Sequence, residues 1–120
     1  MKSLVAAGAI NAALAVGAGA FGAHGLRERL APRALEIFET GARYHLVHAL
    51  GILLCAVIAT QGIPGARTAG WLLQAGIVIF SGSLYALALT DVKMLGAITP
   101  IGGLAFLVGW LWLAVSALRG

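Results

Sequence analysis

Polar and apolar positions sort on a long scale along this chain. Four runs contain no Lys, Arg, Asp or Glu: Ser3–Leu26, Tyr44–Ala66, Thr68–Thr90 and Met94–Leu118, each at least 23 residues long. A helix needs about 20 apolar residues to cross ~30 Å of hydrocarbon. A single charge at its centre costs ~2.5–3.5 kcal/mol on insertion scales. The pattern therefore predicts an all-α polytopic membrane protein. Its four transmembrane helices, at about residues 4–23, 44–60, 69–89 and 95–118, form one compact bundle and one domain.

The breaks between the runs are unequal. The longest, from His24 to Arg43, reads HGLRERLAPRALEIFETGAR. Gly25 can end the first span, and Pro32 suits the first turn of a new helix. Ala34, Leu35, Ile37, Phe38 and Ala42 then make an apolar stripe, opposite Arg33, Glu36, Glu39 and Arg43. Glu39 and Arg43 stand i,i+4 in the favourable order, a pair worth ~0.3–0.5 kcal/mol in water. This pattern predicts an amphipathic interfacial helix over about 32–43, leading into the second span. Gln61–Gly65 and Asp91–Lys93 read as short turns, and the fourth span opens near Thr99-Pro100. Ala18-Gly19-Ala20 resembles a signal-peptide cleavage site, but the run around it is too long and too Gly-rich for such a leader. It reads as a retained first span.

Composition agrees with this class. Hydrophobic residues make up 61% and charged residues 10% of the chain, against about 25% charged in ordinary soluble domains. The mean hydropathy is +0.99. The net charge is +4, but the basic residues sit at helix ends and in one loop, where lipid headgroups account for them. No nucleic-acid partner is expected. The long loop and the Asp91–Lys93 turn carry Arg27, Arg29, Arg33, Arg43 and Lys93. The opposite side carries Lys2, Arg67 and Arg119. Counting Lys and Arg favours the long loop in the cytoplasm and both termini outside. Trp71, Trp110 and Trp112 fall toward the terminal side and Tyr44 and Tyr85 toward the loop side, as interfacial belts would.

Burial alone does not join helices in lipid; close approach of backbones does, and small residues permit it. In the first span, Ala9, Ala13 and Gly17 line one side and Ala12, Val16 and Ala20 another, so this helix is expected to pack on two sides. Gly17, Gly82, Gly102 and Gly103 are the expected helix contacts. Asn11, Gln74, Ser81, Ser83 and Thr99 are expected to bond between helices, at ~0.6 kcal/mol each. With the bilayer as its surroundings, a chain this rich in small residues is expected to self-associate or to join a larger membrane complex.

Chemistry concentrates on the loop side. His24 ends the first span, and His45 and His48 open the second at i,i+3 spacing, with Tyr44 i,i+4 from His48. Glu39 and Arg43 lie just upstream, and Asp91 is expected at similar depth. Ionisable groups near the membrane are costly unless paired or wet, and by default mark a candidate site. The first reading of this cluster is structural, with the groups satisfying one another in a non-enzymatic protein. The second is a proton or small-solute path, which would respond between pH 5 and 8, where histidine titrates. The third is a haem- or metal-binding redox subunit, although His-x-x-His lacks the three or four converging ligands of a dedicated metal site. The sequence holds no nucleophile elbow, P-loop or dinucleotide fingerprint, and neither a catalytic set nor a metal set is assigned. The single cysteine, Cys55, falls inside a span and has no partner for an internal disulfide.

Four blocks together resemble the YgdD/YwdK-like family: Gly19-Ala20-Phe21-Gly22-Ala23-His24-Gly25-Leu26, Phe38-Glu39-Thr40-Gly41-Ala42-Arg43-Tyr44-His45-Leu46-Val47-His48-Ala49-Leu50, Phe80-Ser81-Gly82-Ser83-Leu84-Tyr85 and Thr99-Pro100-Ile101-Gly102-Gly103. This is a group of small four-helix bacterial membrane proteins of unknown function, with a relative in animals. The resemblance covers nearly the whole chain. It implies four spans and a bacterial cell membrane, and it implies no reaction or cofactor. The family signature includes the positions of His24, Glu39, Arg43, Tyr44, His45 and His48.

Overall fold

The computed structural model describes residues 1–119. Four helices run up and down in sequence: α1 Lys2–His24, α2 Pro32–Thr60, α3 Gly65–Thr90 and α4 Leu95–Arg119. Each is long and apolar enough to cross a membrane, as the four charge-free runs predict. Their ends follow local chemistry. The amides of Gly25 and Leu26 both bond the Phe21 carbonyl and close α1. Pro32 occupies the first turn of α2, where its missing N–H costs nothing. Gly62 turns the chain at φ +93°, a conformation that only glycine adopts freely. Asp91 ends α3 in the left-handed region at φ 57°, as short polar side chains occasionally do.

Three features differ from the expected ones. The amphipathic segment is no separate interfacial helix. It is the first part of α2, which runs unbroken for 29 residues, ~43 Å at 1.5 Å per residue. Its apolar stripe turns toward protein: Phe38 is buried with Leu26 and Ala88, and Leu35, Ile37 and Tyr85 pack around them. An amphipathic pattern cannot distinguish a helix lying on lipid from one lying on its neighbours. The second difference is inside α3. Ile77–Ser81 forms a π-helical turn, in which the Gly82 amide reaches back to the Ile77 carbonyl. Pro100, expected near the start of the fourth span, sits inside α4.

Neighbours in sequence are neighbours in space. α1 packs along α2, α2 along α3 and α3 along α4, with a lighter contact between α1 and the first half of α3. The main core, on the side of the termini, joins Leu4, Ile52, Cys55, Leu73, Ile77 and Phe106. The smaller cluster around Phe38 holds the loop side.

α1 buries Leu4, Gly8, Asn11, Ala15 and Gly22. That single stripe replaces the two expected sides: Ala9, Ala13, Gly17, Val16 and Ala20 are exposed. Because Ala and Gly occur all round α1, small residues could not select its face; the buried polar Asn11 does. The expected glycine contacts divide likewise. A Cβ on Gly102 would meet the Phe80 backbone, and one on Gly103 would come no closer than 3.8 Å to the Phe80 ring. Gly17 and Gly82 are not contacts within the chain, since a Cβ at either meets nothing within 4 Å. The close approaches that replace them include Gly8 on Leu53, Gly41 on Tyr85 and Leu84, and Gly109 on Leu73.

Candidate functional site: a polar network at mid-membrane depth

Asn11 stands nine residues from Lys2, Gln74 nine from Gly65 and Trp110 nine from Arg119, each ~14 Å along its helix. Half of a ~30 Å hydrocarbon layer is ~15 Å. The three side chains therefore stand at a similar height, near half the thickness of a hydrocarbon layer, and Asn11 and Gln74 bond one another there. His48 lies twelve residues from Thr60 on α2, ~18 Å along the helix. His45 lies fifteen residues from Thr60, ~22 Å along the helix, so the histidine pair stands inside the bundle on its loop-side half, with the charged first turns of α2 extending beyond it.

His45 and His48 are both buried, at 5% exposure, and their partners fix their protons. The Asn11 amide nitrogen donates to the Ala7 carbonyl (2.8 Å) and to Gln74 Oε1 (2.6 Å). A carbonyl only accepts, so the amide oxygen of Asn11 must face His45 Nε2 at 3.0 Å. His45 therefore carries its proton on Nε2, and its bare Nδ1 accepts the Tyr85 hydroxyl at 2.8 Å. One directed chain runs from Tyr85 through His45 and Asn11 to Gln74, joining α3, α2, α1 and α3 again.

His48 holds the opposite tautomer. Its Nδ1 lies 2.7 Å from the Tyr44 carbonyl and must donate. Its Nε2 accepts the indole N–H of Trp110 at 3.1 Å, since indole is a donor only. The ring stacks on Phe106 with centroids 3.6 Å apart and planes at 10°. Trp110 is therefore no belt residue; it ties α4 to α2.

Hydroxyls make the remaining links. Ser81 donates to the Gly41 carbonyl at 2.8 Å, and the Ser83 and Thr99 hydroxyls lie 2.5 Å apart. Asn11, Gln74, Ser81, Ser83 and Thr99 thus all bond between helices, the role the sequence suggests for them.

Of the six expected cluster residues, the structure pairs Tyr44 with His48 and ties His45 into a separate set with Tyr85 and Asn11. The other three lie elsewhere. His24 is exposed at the end of α1. Glu39 and Arg43 are exposed beside a groove against Ala15, Val16, Gly19 and Ala20 of α1. Asp91 lines a cleft with Arg33 and Lys93, away from the histidines. Among the described residues, no three His, Cys, Asp or Glu side chains form a group that could hold a metal ion. Sequence proximity hid Tyr85 and Trp110 as partners. For Trp110 a signal lies in matched depth, because Asn11, Gln74 and Trp110 are equally far from the helix ends on the terminal side; Tyr85, five residues from Thr90, carries no such signal.

Comparison with known proteins gives a consistent picture. Residues 18–103 match the family described as "Protein of unknown function (DUF423)". The chain is 51% identical over 121 residues to the UPF0382 membrane protein YwdK of Bacillus subtilis strain 168, covering 99% of this chain and 98% of that protein. It is 50% identical over 119 residues to a UPF0382 membrane protein of Staphylococcus epidermidis strain ATCC 12228, with the same coverage. A further UPF0382 membrane protein, from a bovine strain of Staphylococcus aureus, is 45% identical over 119 residues, covering 99% of this chain and 98% of that protein. No solved structure matches.

Proposed function

The chain belongs to the DUF423 family, the UPF0382 membrane proteins of unknown function, and from that premise we propose that it is a non-enzymatic accessory component of the bacterial cell membrane. It acts as a rigid four-span body that assembles with itself or with a larger membrane complex. The observation that carries this reading is that all four ring nitrogens of His45 and His48 are engaged by protein partners.

The same bonds speak against a proton path. Past His45 the chain meets the Asn11 amide, which neither takes up nor passes on a proton readily. His48 lies between an indole donor and a backbone carbonyl, and neither relays. A haem or metal ion would have to displace Tyr85, Asn11 or Trp110 to reach a ring nitrogen. The hydroxyl of Ser81 and the thiol of Cys55 belong to residues that are both 0% exposed.

Purified protein in proteoliposomes, with a pH-sensitive dye inside and an imposed gradient between pH 5 and 8, should leak protons no faster than protein-free liposomes. A protein-dependent flux abolished by His45→Gln would overturn the accessory reading in favour of a path. Cross-linking in native membranes should trap a defined species larger than one chain. A strictly monomeric protein with no co-purifying partner would count equally against it.

For orientation we propose the long loop in the cytoplasm and both termini outside, on the excess of Lys and Arg in the loop and the Asp91–Lys93 turn. Alkaline phosphatase fused after Arg119 should be active, and fused after Glu28 inactive. The opposite pattern inverts the assignment.

A further inference from the structure

Between α1 and the π turn of α3 lies a crevice of about 410 Å³, within the size range of small-molecule pockets (~300–1,000 Å³). Asn11, His45 and Tyr85 line its wall, and Leu14, Val78 and Gly82 its mouth. Leu14 and Val78 are exposed, and nothing lies within 4 Å of a Cβ built on Gly82. The crevice therefore opens sideways, toward lipid, at the depth of the polar network.

The protons of this wall are all spent inward. Asn11 gives its two N–H groups to the Ala7 carbonyl and to Gln74. His45 gives its one N–H to Asn11, and Tyr85 gives its O–H to His45. Ser81, also in the wall, gives its O–H to the Gly41 carbonyl, so the wall retains only lone pairs, on Tyr85 Oη, Asn11 Oδ1 and Ser81 Oγ. Each of these oxygens already has a partner inside the chain, and its remaining lone pair faces the crevice with no donor opposite. A guest carrying a donor pairs with such a lone pair, whereas a guest carrying only a carbonyl or ether oxygen sets lone pair against lone pair.

We propose that this crevice binds a lipid-soluble alcohol, a molecule with an apolar body and one hydroxyl, entering from the bilayer and donating its hydroxyl to Tyr85 Oη. The apolar body lies against Leu14, Ile77 and Val78, and the open side of Gly82 leaves it room. The inference stands apart from the accessory role, since it concerns what fills the crevice and not what the bundle assembles with.

The test uses the whole chain in detergent and farnesol against farnesyl methyl ether, in which a methyl group replaces the donor proton. Cys55 is 0% exposed, so a thiol-reactive fluorogenic maleimide reports melting. Farnesol should raise the melting temperature by several degrees with saturation, and the ether should not. Gly82→Leu, which fills the crevice, should remove the shift. Leu14→Trp, from the opposite rim, should do the same and serves if Gly82→Leu folds poorly. Equal shifts from the two probes would reduce the effect to apolar partitioning and overturn the proposal. So would the absence of any shift, or a shift that survives in both variants.

Discussion

Gly102→Val should leave little folded protein, and Gly102→Ala, at a buried glycine, should lower the temperature at which Cys55 becomes reactive more than alanine at any exposed glycine of the chain. A Cβ at this position would press on the Phe80 backbone nitrogen and come within 2.7 Å of its Cα. Backbone cannot swing aside as a side chain can, so α4 would have to lift from the π turn. Overpacking of a tight contact costs typically 1–3 kcal/mol and occasionally more; here the expectation for valine is about 3 kcal/mol. The neighbouring Gly103 supplies the control, because its Cβ would make an ordinary contact with the Phe80 ring. Gly17→Ala and Gly82→Ala, which meet nothing within 4 Å, should be neutral or stabilise by up to about 1 kcal/mol, the helix cost of glycine being removed. If Gly102→Ala melts like Gly103→Ala, the α3–α4 contact is not where the structure puts it.

Asn11→Leu is the second large effect. It leaves the Nε2 proton of His45 and the carbonyl oxygen of Gln74 without partners at mid-membrane depth. Interhelical hydrogen bonds in membranes average ~0.6 kcal/mol and reach ~1.7. A buried group left unpaired costs ~1–3 kcal/mol. Together these suggest a loss of about 2 kcal/mol, seen as earlier labelling of Cys55 on heating. Asn11→Leu combined with His45→Leu should cost clearly less than the two single changes summed, because the second removes a group that the first has orphaned. Strict additivity would mean that the two side chains do not touch. The expected non-additivity is specific to this pair: Asn11→Leu and Thr99→Ala, which share no partner, should add.

Much of this architecture is legible in the chain before any coordinates. Charge exclusion from four long runs is a thermodynamic demand of hydrocarbon, so it is written at every position and survives local ambiguity. The interhelical roles of Asn11, Gln74, Ser83 and Thr99 are legible for the same reason, since a lone polar side chain in a span must find a partner. What the sequence conceals is azimuth. In α1 small residues occur on every face, so their spacing does not mark the buried stripe through Gly8, Asn11 and Ala15; only the polar Asn11 does. The histidine cluster shows the same problem. Arg43 and His45 are only two residues apart, yet one is exposed and the other buried, because side chains two apart on a helix point ~200° away from one another. Adjacency along the chain suggested one site of six residues. The structure keeps three of them, in two separate sets, and recruits Asn11, Tyr85, Gln74 and Trp110 from other helices.

The π turn at Ile77–Ser81 has a consequence for the history of α3. A widened turn holds one residue more than an α-helical turn while leaving the helix on either side in its original phase. Ala69 and Leu73 before it and Ala88 after it can therefore each keep a buried face, although the residue count between them does not fit one uninterrupted 3.6-residue screw. Elsewhere in the span, gaining or losing a residue would swing every later side chain by ~100° and undo the contacts with α2 and α4. At this turn the chain carries slack, and a change of one residue in length can be taken up without being passed on.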